Sequence, residues 1–155
     1  MQEKIKRIKR ISILFIIGFL GLIGGKGFSL SAAPYFIHGE ILTAQNEDIT
    51  NVRFSASFNN MAQKEVSSFT VVFFVMDEDG GSPLAGRNNV VLKIDEQVAC
   101  GSSLEFERGM EKYFSSSAIE GATENSEFEV EYLYVSKIDY SDGTQWTDPL
   151  GLEVF

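Results

Sequence analysis

The chain holds one cysteine, one histidine and three prolines among 155 residues, and each scarcity closes off a class of protein. With Cys100 alone there can be no intramolecular disulfide, so the fold must rest on an apolar core. Cys100 also lies far from the N terminus, which excludes an acylated leader cysteine. A single thiol of this kind is expected to be buried as a small hydrophobe. His38 is the lone histidine, and no Gly-x-Ser-x-Gly turn nominates a serine to sit beside it. Metal-spaced Cys/His clusters and glycine-rich phosphate loops are missing too. The expectation is a non-catalytic protein without a cofactor.

Positive charge is scarce everywhere except at the start. Residues 1–33 contain Lys4, Lys6, Arg7, Lys9, Arg10 and Lys26 against one acid, Glu3. Removing these from the 13 basic and 22 acidic residues leaves 7 against 21, near −14. Nucleic acid and anionic lipid would be repelled by such a domain. Its partner is expected to be a protein or a component of the cell envelope.

Long apolar runs are also absent, with one exception. Five positive charges in residues 1–10 precede an apolar stretch from Ile11 to Ile23, and small residues follow through Ala33. That order is the three-part plan of a secretory signal. About 13 residues fall short of the ~20 a membrane-spanning helix needs. Ser31-Ala32-Ala33 offers small residues for cleavage, but Pro34 follows; cuts after Gly27 or Ser31 are the alternatives. An uncleaved leader would extend to Leu30 and anchor the chain, so the membrane would be met only through residues 11–30. Either route places residues 34–155, one domain, outside the cytoplasm: secreted, periplasmic or held at the surface.

What the sequence has in abundance is aromatic and β-branched residues, which suit a pleated, half-buried surface. Thirteen Phe, five Tyr and one Trp fall mostly after residue 50. Residues 34–43 read as an entry segment or first strand, ending in a polar break at Gln45-Asn46-Glu47-Asp48. Val52, Phe54, Ala56 and Phe58 alternate with polar residues, the period of a strand with one buried face. Val66 to Met76 is apolar on both sides, which predicts an interior strand covered on both faces. It stops at Asp77-Glu78-Asp79-Gly80-Gly81. Val90–Ile94 and Leu104–Phe106 are shorter strands. Met110, Tyr113 and Phe114 fit one helical turn, and Ser115-Ser116-Ser117 reads as loop. From Phe128 to Tyr140, Phe128, Val130, Tyr132, Tyr134 and Ile138 are expected on one face. Glu127, Glu129 and Glu131 begin the other, guarding an edge strand. Ser141-Asp142-Gly143-Thr144 is a hairpin turn, and a last strand is expected over Leu152–Phe155. Six to eight short strands with turns between them predict an all-β, antiparallel two-sheet sandwich. A closed barrel is the alternative; an outer-membrane barrel is excluded by the many glutamates.

The strand Phe69–Met76 ending in Asp77-Glu78-Asp79-Gly80 is followed by the unit Val98-Ala99-Cys100-Gly101-Ser102-Ser103-Leu104-Glu105-Phe106. With the hairpin Tyr140-Ser141-Asp142-Gly143-Thr144-Gln145-Trp146, this resembles small bacterial extracytoplasmic immunoglobulin-like modules of the FxLYD kind, over residues 50–148. Cys100 stands where those modules usually carry proline. The resemblance implies an immunoglobulin-like sandwich with no catalytic residue.

Two sets of side chains are candidates for binding. Asp77 and Asp79 invite calcium, although Gly81 and Ser82 stand where an EF-hand loop needs an oxygen ligand and a glycine. Tyr132, Tyr134, Tyr140 and Trp146 invite a ligand platform for carbohydrate, above all Tyr140 and Trp146, set against the expectation that rings alternating with polar residues pack in a core.

Overall fold

The computed structural model describes residues 32–46, 49–123 and 126–148. Among these residues, seven strands and one short helix follow in order: β1 (Tyr35–Asn46), β2 (Ile49–Asn60), β3 (Val66–Met76), β4 (Val90–Ile94), β5 (Ser103–Gly109), α1 (Ser116–Gly121), β6 (Glu129–Tyr140) and β7 (Gln145–Thr147). Sheet A has the order β1-β2-β5 and sheet B the order β4-β3-β6-β7, with every pairing antiparallel. Three crossings between sheets, β2 to β3, β4 to β5 and β5 to β6, give an immunoglobulin-like sandwich rather than a barrel. Residues 1–31, with the whole apolar run and the cuts after Gly27 and Ser31, and the strand expected over Leu152–Phe155 lie outside the described residues.

The core forms because the alternating residues of β2 and β3 face each other across the sheets. Val52, Phe54, Phe58, Val71, Phe73 and Val75 are 0% exposed, Phe69 1%. Phe54 stacks on Phe73 at 4.1 Å between ring centroids, and Phe58 on Phe69 at 4.0 Å. Phe106 of β5 enters edge-on against Phe54 and Phe69. Gly39 of β1 makes room for this: a Cβ there would lie 2.6 Å from the Phe54 ring.

β1 does more than pair with β2. The Tyr35 hydroxyl accepts the Val135 amide at 3.0 Å and donates to the Val135 carbonyl at 3.4 Å. Thr43 donates to the Ser126 carbonyl at 3.3 Å. Side chains of β1 thus serve the flank of β6 that the three-residue β7 does not reach. Burial holds the Tyr35 phenol above its ordinary pKa, with the Val135 hydrogen bond opposing.

One end of the sandwich is tied by Asn60, which is 2% exposed. Its Nδ2 donates to the carbonyls of Lys64 (2.8 Å), Val98 (3.0 Å) and Ala99 (3.2 Å), and its Oδ1 accepts from the Ala62 amide (3.0 Å). The β6–β7 hairpin closes at the same end. Gly143 takes the positive φ its turn requires, and Tyr140 N–H donates to the Thr144 carbonyl. Lys64 clips the turn by donating to Asp142 and Thr144, both at 2.8 Å.

Three expectations are corrected here. Cys100 is exposed, not buried: it sits in the turn Ala99–Ser102, where Gly101 has φ +70° and Ser102 N–H donates to the Ala99 carbonyl. The serine run starts a helix instead of remaining loop, since Ser115 Oγ caps it by accepting the Ala118 amide. Tyr132 and Tyr134 do not share a face with Val130 and Ile138. The β3–β6 register slips between Phe74↔Glu131 and Val72↔Tyr134, and again between Val71↔Val135 and Thr70↔Lys137. Each bulge inserts one residue and turns the following side chains over; the second cancels the first. Leu133 and Val135 therefore point inward, while Tyr132 and Tyr134 join the outer face.

Candidate interaction surface

The outward faces of the two sheets differ in kind. In sheet A, the outward residues of β2 and β5 are Arg53, Ser55, Ser57, Ser103, Glu105 and Glu107. Exposed apolar residues on that face come from the edge strand β1, Phe36 and Leu42, where His38 also lies exposed opposite Ser57. Sheet B carries a row of apolar residues on its outside among charged ones. Val91, Val72 and Tyr134 form one row across β4, β3 and β6. In the next row Phe74 lies opposite Glu131, and the Tyr132 ring meets Phe74 edge-on at 5.7 Å. Lys93, Thr70 and Lys137 bound the strip on one side, and Met76 with Glu129 on the other. No second layer of the fold covers this face among the described residues. Val72 is buried by its neighbours, but Val91 remains 47% and Tyr132 73% exposed.

Tyr132 is also where the backbone departs from ordinary strand geometry. Its φ is +51°, in the left-handed region, and it is the one non-glycine residue with positive φ among those described. A bulky residue held there costs about 1–3 kcal/mol that glycine would avoid. The bulge aims the ring outward, against Phe74, instead of into the core.

The residues singled out earlier lie elsewhere. Asp77 has one carboxylate oxygen engaged by its own loop: Oδ1 accepts the amides of Asp79 (3.1 Å) and Gly81 (2.7 Å). Asp79 is exposed, and among the described residues no three acidic, histidine or cysteine side chains gather to hold a metal. Tyr140 and Trp146 face inward, so the platform reading is corrected. Tyr140 is 8% exposed, and burial raises its phenol pKa while Lys64 lowers it. Trp146 packs edge-on against Tyr35 at 5.5 Å, opposite Ile138. Glu129 and Glu131 occupy the half of β6 that β7 leaves without a backbone partner, as an edge guard would. Sequence reasoning counted Tyr132 among the platform aromatics but did not find its exposed place, because uniform alternation put it on the buried face. The missed signal is that the Glu-led face turns apolar at Leu133 and Val135, which an uninterrupted solvated face would not do.

No protein-family model matches the chain, and no curated protein matches it. The crystal structure of a hypothetical protein from Peptoclostridium difficile 630 superimposes with a TM-score of 0.52 at 10% identity, covering 77% of this chain and 88% of that one. That likeness concerns the fold alone.

Proposed function

We propose that this is a non-catalytic module, exported by residues 1–33, that binds a protein partner in the envelope through the outer face of sheet B. The observation that carries the reading is Tyr132: an exposed ring on strained backbone, beside an apolar strip bounded by Lys93, Lys137, Glu129 and Glu131. An apolar centre with a charged rim is the anatomy of protein interfaces, and tyrosine is over-represented among their energetic anchors. Exposed strips of this kind are uncommon on surfaces that only face water. The basic, then apolar, then small-residue order of the leader supports export, whether it is cleaved or kept as an anchor. A carbohydrate platform of Tyr140 and Trp146 is not carried forward, because both rings serve the core.

Site-specific photocrosslinking in the producing cell tests this. A photoreactive phenylalanine at position 132 should give a discrete crosslinked species, and the same group at Ser57, on the polar sheet, should give none. Equal crosslinking at both positions, or none at 132, sinks the proposal. Tyr132→Gly supplies the control for folding. It relieves the positive φ, so stability should change by no more than about 1 kcal/mol while the partner is lost.

A further inference from the structure

The few basic side chains of this acidic domain are nearly all neutralised. Arg53 pairs with Glu107 (3.4 Å), Lys64 with Asp142 (2.8 Å), Lys93 with Asp95 (2.6 Å), Arg108 with Glu96 (2.6 Å) and Lys137 with Asp139 (2.8 Å). Among the described residues, only Arg87 and Lys112 have no carboxylate within ion-pair distance. Both line the same hollow, of about 310 Å3, together with Ala85 and Tyr113. Among the described residues its lining contains no acid, in a domain where acids outnumber bases 21 to 7 after residue 33. In so negative a field a free cation draws a carboxylate readily, so two left free around one acid-free hollow call for an explanation.

The hollow is held by backbone, not by loose side chains alone. Leu84 and Phe114 form an antiparallel bridge and are both buried. Ala85 N–H donates to the Tyr113 carbonyl at 2.8 Å, and Ser115 N–H to the Pro83 carbonyl at 2.9 Å. This short ladder brings the β3–β4 loop, which carries Arg87, against the segment that carries Lys112. Gly86 turns the loop with φ +63°. Lys112 Nζ lies 4.8 Å from the centroid of the Tyr113 ring, a contact that steadies the ammonium and leaves its N–H donors available. On the same loop, Asn89 has a buried Nδ2 with no hydrogen-bond partner.

We propose that this hollow binds a small oxyanion: a carboxylate or phosphate group on a molecule of about sugar-ring size. Arg87 supplies the planar, two-pronged donor set that such groups fit, and Lys112 supplies the second charge. The volume lies at the lower end of small-molecule sites. The site is independent of the Tyr132 face and stands whether or not that face meets a protein.

The test is an amide NMR titration of the 15N-labelled full chain, held in solution with a non-ionic detergent. Sodium phosphate and sodium glucuronate are added in separate arms at constant ionic strength. The expected result is saturable shifts at residues 85–88 and 112–113 in at least one arm, with Arg87→Gln and Lys112→Gln each weakening binding about tenfold. Saturation by phosphate alone assigns a phosphoryl ligand, and saturation by glucuronate alone assigns a carboxylate. The proposal is overturned by shifts that fail to saturate in both arms, by shifts spread equally over Arg53 and Lys93, or by shifts unchanged in Arg87→Gln.

Discussion

The two ends of the sandwich are built to opposite plans. At one end the connections are 61–65, 95–102 and 141–144, and they are cross-linked. Asn60 ties three of their carbonyls, Val66 bridges Val98, and Ser141 donates through its amide and hydroxyl to Glu65. At the other end, apart from the short β1–β2 connection, the chain runs through 77–89 and 110–128 before re-entering a sheet. Contact there comes from the Leu84–Phe114 bridge with its flanking Ala85–Tyr113 and Ser115–Pro83 hydrogen bonds, the Phe114–Phe128 ring pair at 5.1 Å, and Glu127 N–H donating to Glu78. The unpaired cations sit at this second end. One end fixes the fold, and the other has length to spare for recognition, as loops on a rigid scaffold commonly do.

Breaking the tied end should have the largest effect. Asn60→Leu strands the Lys64 carbonyl and the Ala62 amide and takes one of two partners from the Val98 and Ala99 carbonyls, which keep Val66 and Ser102 N–H; it should cost about 2–4 kcal/mol in urea denaturation. A loss under 1 kcal/mol would show that water replaces the side chain there. Next comes Gly39→Ala, midway between the ends. The added methyl must displace the Phe54 ring from Phe73, at about 1–3 kcal/mol. A shift in near-ultraviolet circular dichroism should accompany that loss.

Acid should loosen the tied end first. Lys64, then the Thr144 hydroxyl and amide, hold the Asp142 carboxyl well below the usual carboxylate range. Asp139 is held low chiefly by Lys137. A group whose pKa is depressed by folding contributes stability above its unfolded value, about 4, and loses it as pH falls toward the folded one. The melting temperature should therefore drop between pH 5 and pH 2, and less steeply in Asp142→Asn. The smallest effect belongs to the other end. Arg87→Gln and Lys112→Gln should each move stability by no more than about 0.5 kcal/mol, since neither has an ion pair to lose. A larger destabilisation of either would give that cation a structural role.

Much of this plan was legible from residue order. The alternation in Val52–Phe58 and Phe69–Val75 places the core correctly because each buried face is read in steps of two over a strand without interruption. Asp142-Gly143 marks its hairpin because the turn needs a residue that accepts positive φ. What escaped the sequence is whatever breaks the period. The change to apolar at Leu133 and Val135 hints at the first bulge, but nothing in Ser136 announces the second, since the extra residues are imposed by the partner strand. The exposure of Cys100 was hidden for a similar reason: the turn from Ala99 to Ser102 is set by Asn60, forty residues earlier. Val72 and Phe74 gave a half-true signal. Their strand is interior to its sheet, but its outer side is screened only by neighbouring side chains.

The surplus residues in β6 carry a consequence for chain length. Tyr132 and Leu133 together oppose Phe73, so the strand is one residue longer than its partner requires at that point. Removing Tyr132 outright would leave every flanking residue beside its present neighbour. Removing Leu133 would draw the tyrosine inward to fill the vacancy. Shortening the gene by one codon should thus be mild at position 132 and harmful at 133, a contrast that a pair of melting curves would read directly.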